Sequence, residues 1–143
     1  MSFMNPTQEK IGQILKQAGN IAIVGLSDKS DRISYIVAYT IQRRGYRIIP
    51  VNPAASGTEI LGEMCYASLK DIPDNVDIVN VFRRSEYCAE VAREAAEIGA
   101  KVLWLQQGII SEEAAEIAAE NGMIAIMDRC IKVEDAVSVR DPR

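Results

Sequence analysis

Six short apolar runs punctuate the chain: IAIVGL, YRIIPVN, the weaker MCY, VDIVNVF, KVLWLQ and MIAIMD. Within each run apolar residues follow one another instead of alternating with polar ones. That is the pattern of strands covered on both faces, as parallel strands are. The intervening stretches carry the helical period. Ile33, Ile36, Val37, Thr40 and Ile41 share one face that stops at Gly45, and Cys88, Val91, Ala92, Ala95 and Ile98 share another that stops at Gly99. A third helix is predicted from Ser111, with Glu112 and Glu113 suiting its positive end, to Asn121-Gly122. An opening helix is predicted in NPTQEKIGQILKQAG, with Asn5 as cap, Pro6 at the first helical position and Ile11, Ile14 and Leu15 as its stripe. Strand-helix alternation of this kind specifies an α/β fold: one doubly wound, Rossmann-type, mostly parallel sheet flanked by helices, with right-handed crossovers.

The length of 143 residues suits a single domain spanning 1–143, able to bury one core; SVRDPR, from about residue 138, reads as a frayed tail. No apolar run approaches the roughly 18 residues of a membrane span, and MSFMNPTQEK lacks a basic and apolar leader, so the expected location is the cytoplasm, with no membrane partner. A net charge of −4 argues against a nucleic-acid surface, which needs a basic excess. Cys65, Cys88 and Cys130 are far apart, form no CxxC pair and have no histidine beside them, because the chain contains none. They read as reduced thiols, no metal site is expected, and the usual neutral-pH general base is missing.

In an open α/β sheet, ligands sit beyond the carboxyl ends of the strands near the point where strand order reverses. The turns after Val24, Val51, Val81 and Leu105 are therefore the candidate positions. A dinucleotide fingerprint GxGxxG would place glycines at 25, 27 and 30, where the sequence has Gly25, Ser27 and Ser30. The tight-turn glycine survives, and Leu26 follows it. Ser27, Lys29, Arg32 and Ser34 add hydroxyls and positive charge to a helix N-terminus that already favours phosphate. The alternative is a capped helix start with solvated charges.

The second turn has neutral Asn52 and rigid Pro53 where an NAD domain carries an acidic residue for the ribose hydroxyls. A ligand with a phosphorylated ribose tolerates this better than NAD; Asn52 as a simple turn former is an equal reading. At the third turn Phe82, Arg83 and Arg84 precede a helix with Ser85 as its expected cap, and an aromatic beside two cations suits an adenine ring and its phosphates. A solvated arginine pair is the alternative. At the fourth, Trp104 alternates into the core, whereas Gln107 and Gly108 are placed to meet a polar ligand.

Taken together, VGLSDKSDRISY, GYRIIPVNP, EILGEMCYASLKDIP, VDIVNVFRRSE, GAKVLWLQQGI and MDRCIK resemble, in order and spacing, the small stand-alone coenzyme A-binding proteins. The resemblance runs from about Thr7 to Lys132 and extends to the coenzyme A-binding half of the succinyl-CoA synthetase alpha subunit. It implies a Rossmann-type fold and coenzyme A as ligand. It also implies that Gly25, Ser27, Arg32 and Ser34 belong to the phosphate loop, Asn52 and Pro53 to the second turn, Phe82 and Arg83 to the adenine side, and Gln107 with Gly108 to the pantetheine path. Coenzyme A carries a diphosphate and a 3′-phosphate, which matches the extra donors of the first loop. The synthetase holds phosphate on a histidine of its second domain, and a chain without histidine cannot do so. The family's usual ending also carries a histidine close to where Asp135 stands here.

The expected function is therefore non-catalytic binding of coenzyme A or an acyl-CoA. The alternatives are an NAD(P)-binding redox enzyme or sensor, and a partner subunit of an acyl-CoA ligase. Cys130 is either a structural thiol or one placed for disulfide exchange with coenzyme A, and a homodimer is compatible with the edge strands and opening helix.

Overall fold

The computed structural model describes residues 3–138. The strands are β1 (Asn20–Val24), β2 (Arg47–Val51), β3 (Glu59–Ile60), β4 (Glu63–Met64), β5 (Ile78–Val81), β6 (Val102–Leu105) and β7 (Ile124–Ile126). The helices are α1 (Gln8–Gln17), α2 (Ile33–Arg43), α3 (Cys88–Glu97), α4 (Glu112–Glu120) and α5 (Ile131–Ser138). Five strands form one parallel sheet in the order β2-β1-β5-β6-β7, as in a Rossmann-like α/β fold. The run MCY does not join that sheet as a strand. β3 and β4 make a small antiparallel hairpin, and Tyr66 alone forms a bridge to Val51 at the β2 edge.

The apolar strands have two buried faces because each face has its own helical layer. On the front, α1, α2 and α5 pack Ile11, Leu15, Val37, Ile41 and Ile131 against Ile21, Ile23, Ile78 and Trp104. On the back, α3 and α4 pack Val91, Ala92, Ala114 and Ala118 against Val79, Val81, Leu103 and Leu105. Alternate residues of each strand therefore enter opposite cores. Strand order reverses between β1 and β5: the chain leaves β1 for α2 on the front and leaves β5 for α3 on the back.

Several local expectations need correction. The N-cap of α1 is Thr7, whose hydroxyl accepts from Lys10 N. Asn5 pairs instead with the end of β7, its side chain donating to Met127 O at 2.9 Å and accepting from Met127 N at 2.8 Å. Backbone pairing across a chain end outcompeted local capping. Ser85 does not cap α3: it starts a single 3₁₀ turn (Ser85–Tyr87), and its hydroxyl accepts from Ile110 N at 3.2 Å. In α2 the buried residues are Ser34, Val37, Ala38 and Ile41, while Ile33 and Ile36 stand exposed. The inward face lies about a residue's rotation from the one the apolar pattern suggests, because small Ser34 and Ala38 allow close approach to the sheet.

Residues 131–138 were not anticipated as a helix. α5 is fixed by a buried polar contact: the Arg44 guanidinium and the Tyr46 hydroxyl both donate to fully buried Asp135, Tyr46 at 2.6 Å. Asp135 thus ties α5 to the end of α2 and the start of β2. The expected tail lies outside the described residues after Ser138.

Candidate functional site

Gly25 sets the geometry at the switch point. Its φ is +87°, and an added Cβ would sit 2.5 Å from the Phe82 carbonyl oxygen, so the first and third turns are in backbone contact. Gly25 N donates to Val51 O and Phe82 N to Val24 O, each at 2.8 Å, joining three strand ends. Beyond this junction lies an open cleft of about 550 Å³, lined by Gly25, Ser27, Lys29, Arg32, Ser34 and Phe82 together with Asp31 and Ile33.

The loop around it is held by side chains. Ser34 Oγ accepts from Ser27 N at 3.0 Å and Ser27 Oγ from Lys29 N at 3.1 Å, leaving each hydroxyl proton free to donate. Arg32 occupies the N-cap position of α2 and makes no side-chain cap, so its guanidinium projects from a helix end that is itself positive. Leu26 is fully buried and can offer a ligand only backbone; its carbonyl accepts from Asn52 Nδ2 at 2.9 Å. The other end of that amide accepts from Ala54 N at 3.0 Å. Asn52 therefore clamps the second turn to the first, and Pro53 begins the 3₁₀ turn that follows.

The third turn opens on two further clefts. Arg83 lines one of about 360 Å³ on the back, with Pro53, Ser68 and Tyr87 and the carboxylates of Glu90 and Glu94. With Phe82, Arg84 and Gly108 it lines another of about 460 Å³ beside the fourth turn. The Arg83 guanidinium stacks 4.6 Å from the centroid of the Tyr87 ring. Tyr87 thus supplies the aromatic partner of the cation, a residue sequence reading missed although its spacing of four from Arg83 could have marked it. Phe82, only partly exposed, packs on the front core. Gln107 and Gly108 are exposed, and Gly108 N donates to Asp128 Oδ1 at 2.8 Å. The structure therefore brings the first, third and fourth turns together around Phe82 and Arg83, with the second turn bounding the back cleft.

Among the described residues, Lys29, Arg32, Arg83 and Arg84 form no ion pair. Four cations free of ion pairs converge there with Asp31, Glu86, Glu90 and Glu94, and the hydroxyl and peptide donors at the α2 start add to what a phosphate could use. The thiols nearby differ. Burial pushes the Cys88 thiol up to about 11, against the opposing charge of Arg83, so it is protonated beneath the third turn. Burial also raises Cys65, opposed by a hydrogen bond to Asn52 backbone and reinforced by the Asp28 charge. Cys130 is half-buried against the front core, directly before α5. Among the described residues no cluster of side chains suits a metal ion.

Residues 19–136 match the family model described as the CoA binding domain. The chain belongs to that family. Within the CoA-binding domain family it is 49% identical over 136 residues to the uncharacterised protein YneT of Bacillus subtilis, covering 95% of this chain and 99% of that one. A hypothetical protein from Pyrococcus horikoshii superposes with a TM-score of 0.89 at 36% identity, over 97% of this chain and 99% of the other. Similarity extends to larger proteins. It reaches 31% identity over 96 residues with an ADP-forming acetate–CoA ligase of Archaeoglobus fulgidus, covering 66% of this chain and 14% of the ligase.

Proposed function

We propose that this chain binds coenzyme A or an acyl-CoA in the cytoplasm, as one domain and without chemistry of its own, across the carboxyl ends of β1, β2, β5 and β6. The observation carrying this reading is the convergence of Lys29, Arg32, Arg83 and Arg84, which form no ion pair among the described residues, on neighbouring clefts at the strand ends, two of them lined by Phe82. The phosphates lie at the α2 N-terminus, where peptide N–H groups, the Ser27 and Ser34 hydroxyls and Arg32 supply donors. Arg83 and Arg84 meet the adenosine side, and the pantetheine arm passes Gln107 and Gly108. Asn52 and Pro53 shape the site by holding the second turn. A chain without histidine cannot carry phosphate on one, which supports binding in preference to a phosphohistidine step.

The test is calorimetry with coenzyme A, dephospho-coenzyme A and NADH on the full chain and on Arg32→Ala. A lost charge-assisted hydrogen bond of about 1.5–3 kcal/mol weakens binding by roughly ten- to a hundredfold. Equal binding by parent and variant removes Arg32 from the site, and tighter NADH binding replaces this reading with a dinucleotide one.

The similarity to ADP-forming acetate–CoA ligases favours a second reading, in which the chain supplies coenzyme A binding to a larger ligase assembly. The chain spans 14% and 22% of two such relatives, so the remaining parts would come from a partner. Restoration of ligase activity on mixing with that partner tests it.

A further inference from the structure

The back cleft of about 360 Å³ carries charge of a sign that phosphates cannot use. Its floor is apolar: Val24 and Val51 from the strand ends, Leu69 from the segment between β4 and β5, and Val91 from α3, each at most 6% exposed. Tyr87 stands at its edge with the Arg83 guanidinium stacked on its ring. From α3, Glu90 and Glu94, one helical turn apart, line the same cleft. Neither forms an ion pair among the described residues: Lys70 pairs with Glu97 and Arg93 with Glu113. A carboxylate in the first turn suits a helix start, which accounts for Glu90. Glu94 lies a turn further on, where like charge at this spacing slightly disfavours the helix.

Ionised carboxylates only accept hydrogen bonds. Beside an apolar floor they suit a flat apolar body with N–H donors at its edge, and they repel phosphate. The cleft also lies where strand order reverses, the place at which an open α/β sheet takes a ligand. The adenine ring of coenzyme A has apolar faces to lie on this floor and against Tyr87, and an exocyclic amine that donates. The pantetheine amides donate too, but in the proposed placement that arm runs past Gln107 and Gly108, which do not line this cleft.

We infer that Glu90 and Glu94 select the base: an adenine seated in the back cleft donates its exocyclic amine to these carboxylates. A base with a carbonyl at that position is rejected, because its oxygen would face acceptors with no donor between them. The inference rests on the proposed function and adds to it a reader of the base on α3.

The experiment is calorimetry of the full chain with adenosine 3′,5′-bisphosphate, inosine 3′,5′-bisphosphate and coenzyme A. The two bisphosphates carry the same phosphates and the same charge and differ where the amine stands. The adenosine form should bind the parent about fivefold or more tighter than the inosine form. Glu90→Ala/Glu94→Ala should lower that preference below about twofold. Loss of two carboxylates helps any phosphate ligand, but the ratio compares equally charged ligands and does not move with that gain. Glu90 is exposed and Glu94 half-buried, and alanine favours the helix, so the variant keeps its fold. A parent that binds coenzyme A but holds both bisphosphates equally, or prefers the inosine form, overturns the inference and leaves the proposed function standing. So does a double variant that keeps the full preference. A parent that binds neither coenzyme A nor either bisphosphate overturns the proposed function, and the inference with it.

Discussion

Where the strands begin, Arg47 pairs with Asp74 at 3.0 Å and Lys101 with Asp77 at 3.5 Å; where they end, Lys29, Arg32, Arg83 and Arg84 form no ion pair among the described residues, although Asp31, Glu86, Glu90 and Glu94 line the same clefts. The beginning rim is closed further by Asp77, whose Oδ2 accepts from Gly19 N at 2.8 Å and Asn20 N at 2.9 Å. Its loops satisfy one another. The ending rim is equally well stitched in its backbone, through Gly25, Asn52, Phe82 and Gly108, yet its cationic side chains are left over. The same sheet thus ends in a self-satisfied rim and in one with charge to spare. Cations beside a positive helix end gain from a nearby anion, and the binding proposed above places that anion at the second rim.

The largest effect on this contrast should come from Gly25→Ala. The Cβ collides with the Phe82 carbonyl in a backbone conformation that L-residues avoid, so a loss of about 2–4 kcal/mol is expected in urea unfolding. Coenzyme A binding should fall with it, since the junction of the clefts must open. A variant of parental stability would show that the first and third turns are less tightly apposed than their geometry requires.

Next is Asp77→Ala at the opposite rim, with an expected loss of about 1–3 kcal/mol from two orphaned peptide donors and unchanged coenzyme A affinity. Partial burial raises the Asp77 carboxyl, but the Asn20 and Gly19 peptide hydrogen bonds and the Lys101 charge outweigh it and hold the group below its ordinary value of 3.8. A depressed folded value means stabilisation that is complete above the unfolded value and lost as pH falls through the folded one. The stability gap between parent and variant should therefore be constant near neutrality and narrow below about pH 4. A gap that persists undiminished at pH 2 would place its origin in packing.

What sequence reading captured and missed divides along physical lines. Long-period signals were legible: the apolar runs at 21–24, 48–51, 78–81 and 102–105 became strands, and α3 and α4 followed their patterns. At the glycine-poor first turn, Ser27 and Ser34 hold the loop through their hydroxyls. What failed were choices settled by distant partners. Thr7 caps α1 because Asn5 is taken by Met127; Ser85 is drawn to Ile110; Asp135 is buried because Arg44 and Tyr46 meet it from 91 and 89 residues away. Tyr87 as the platform for Arg83 needed the 3₁₀ turn that places one beside the other. The register of the α2 face, one step from expectation, is what left Ile33 and Ile36 on the surface.

At the ligand rim, Arg83→Ala should cost roughly tenfold or more in coenzyme A affinity while moving stability by less than about 0.5 kcal/mol. Its partner Tyr87 is exposed, so the stack stabilises little in the free protein. Affinity measured by calorimetry alongside unfolding in urea separates the two effects. An Arg83 variant that loses stability but not affinity would move that residue from the ligand's account to the fold's.

The smallest expected effect is also the sharpest comparison. Lys101→Ala removes a cation that is 78% exposed and paired, and its salt bridge at 3.5 Å in water should contribute less than about 0.5 kcal/mol, with no change in coenzyme A affinity. Lys29 is likewise an exposed lysine, but without a partner, and its replacement by alanine should leave stability unchanged while weakening coenzyme A binding severalfold. Two exposed lysines then answer oppositely in the binding assay because one has its counter-ion in the fold and the other, on the proposed function, meets it in a ligand. If both substitutions lower affinity equally, the attraction for coenzyme A comes from the net charge of the molecule, and the contrast between the rims has no functional meaning.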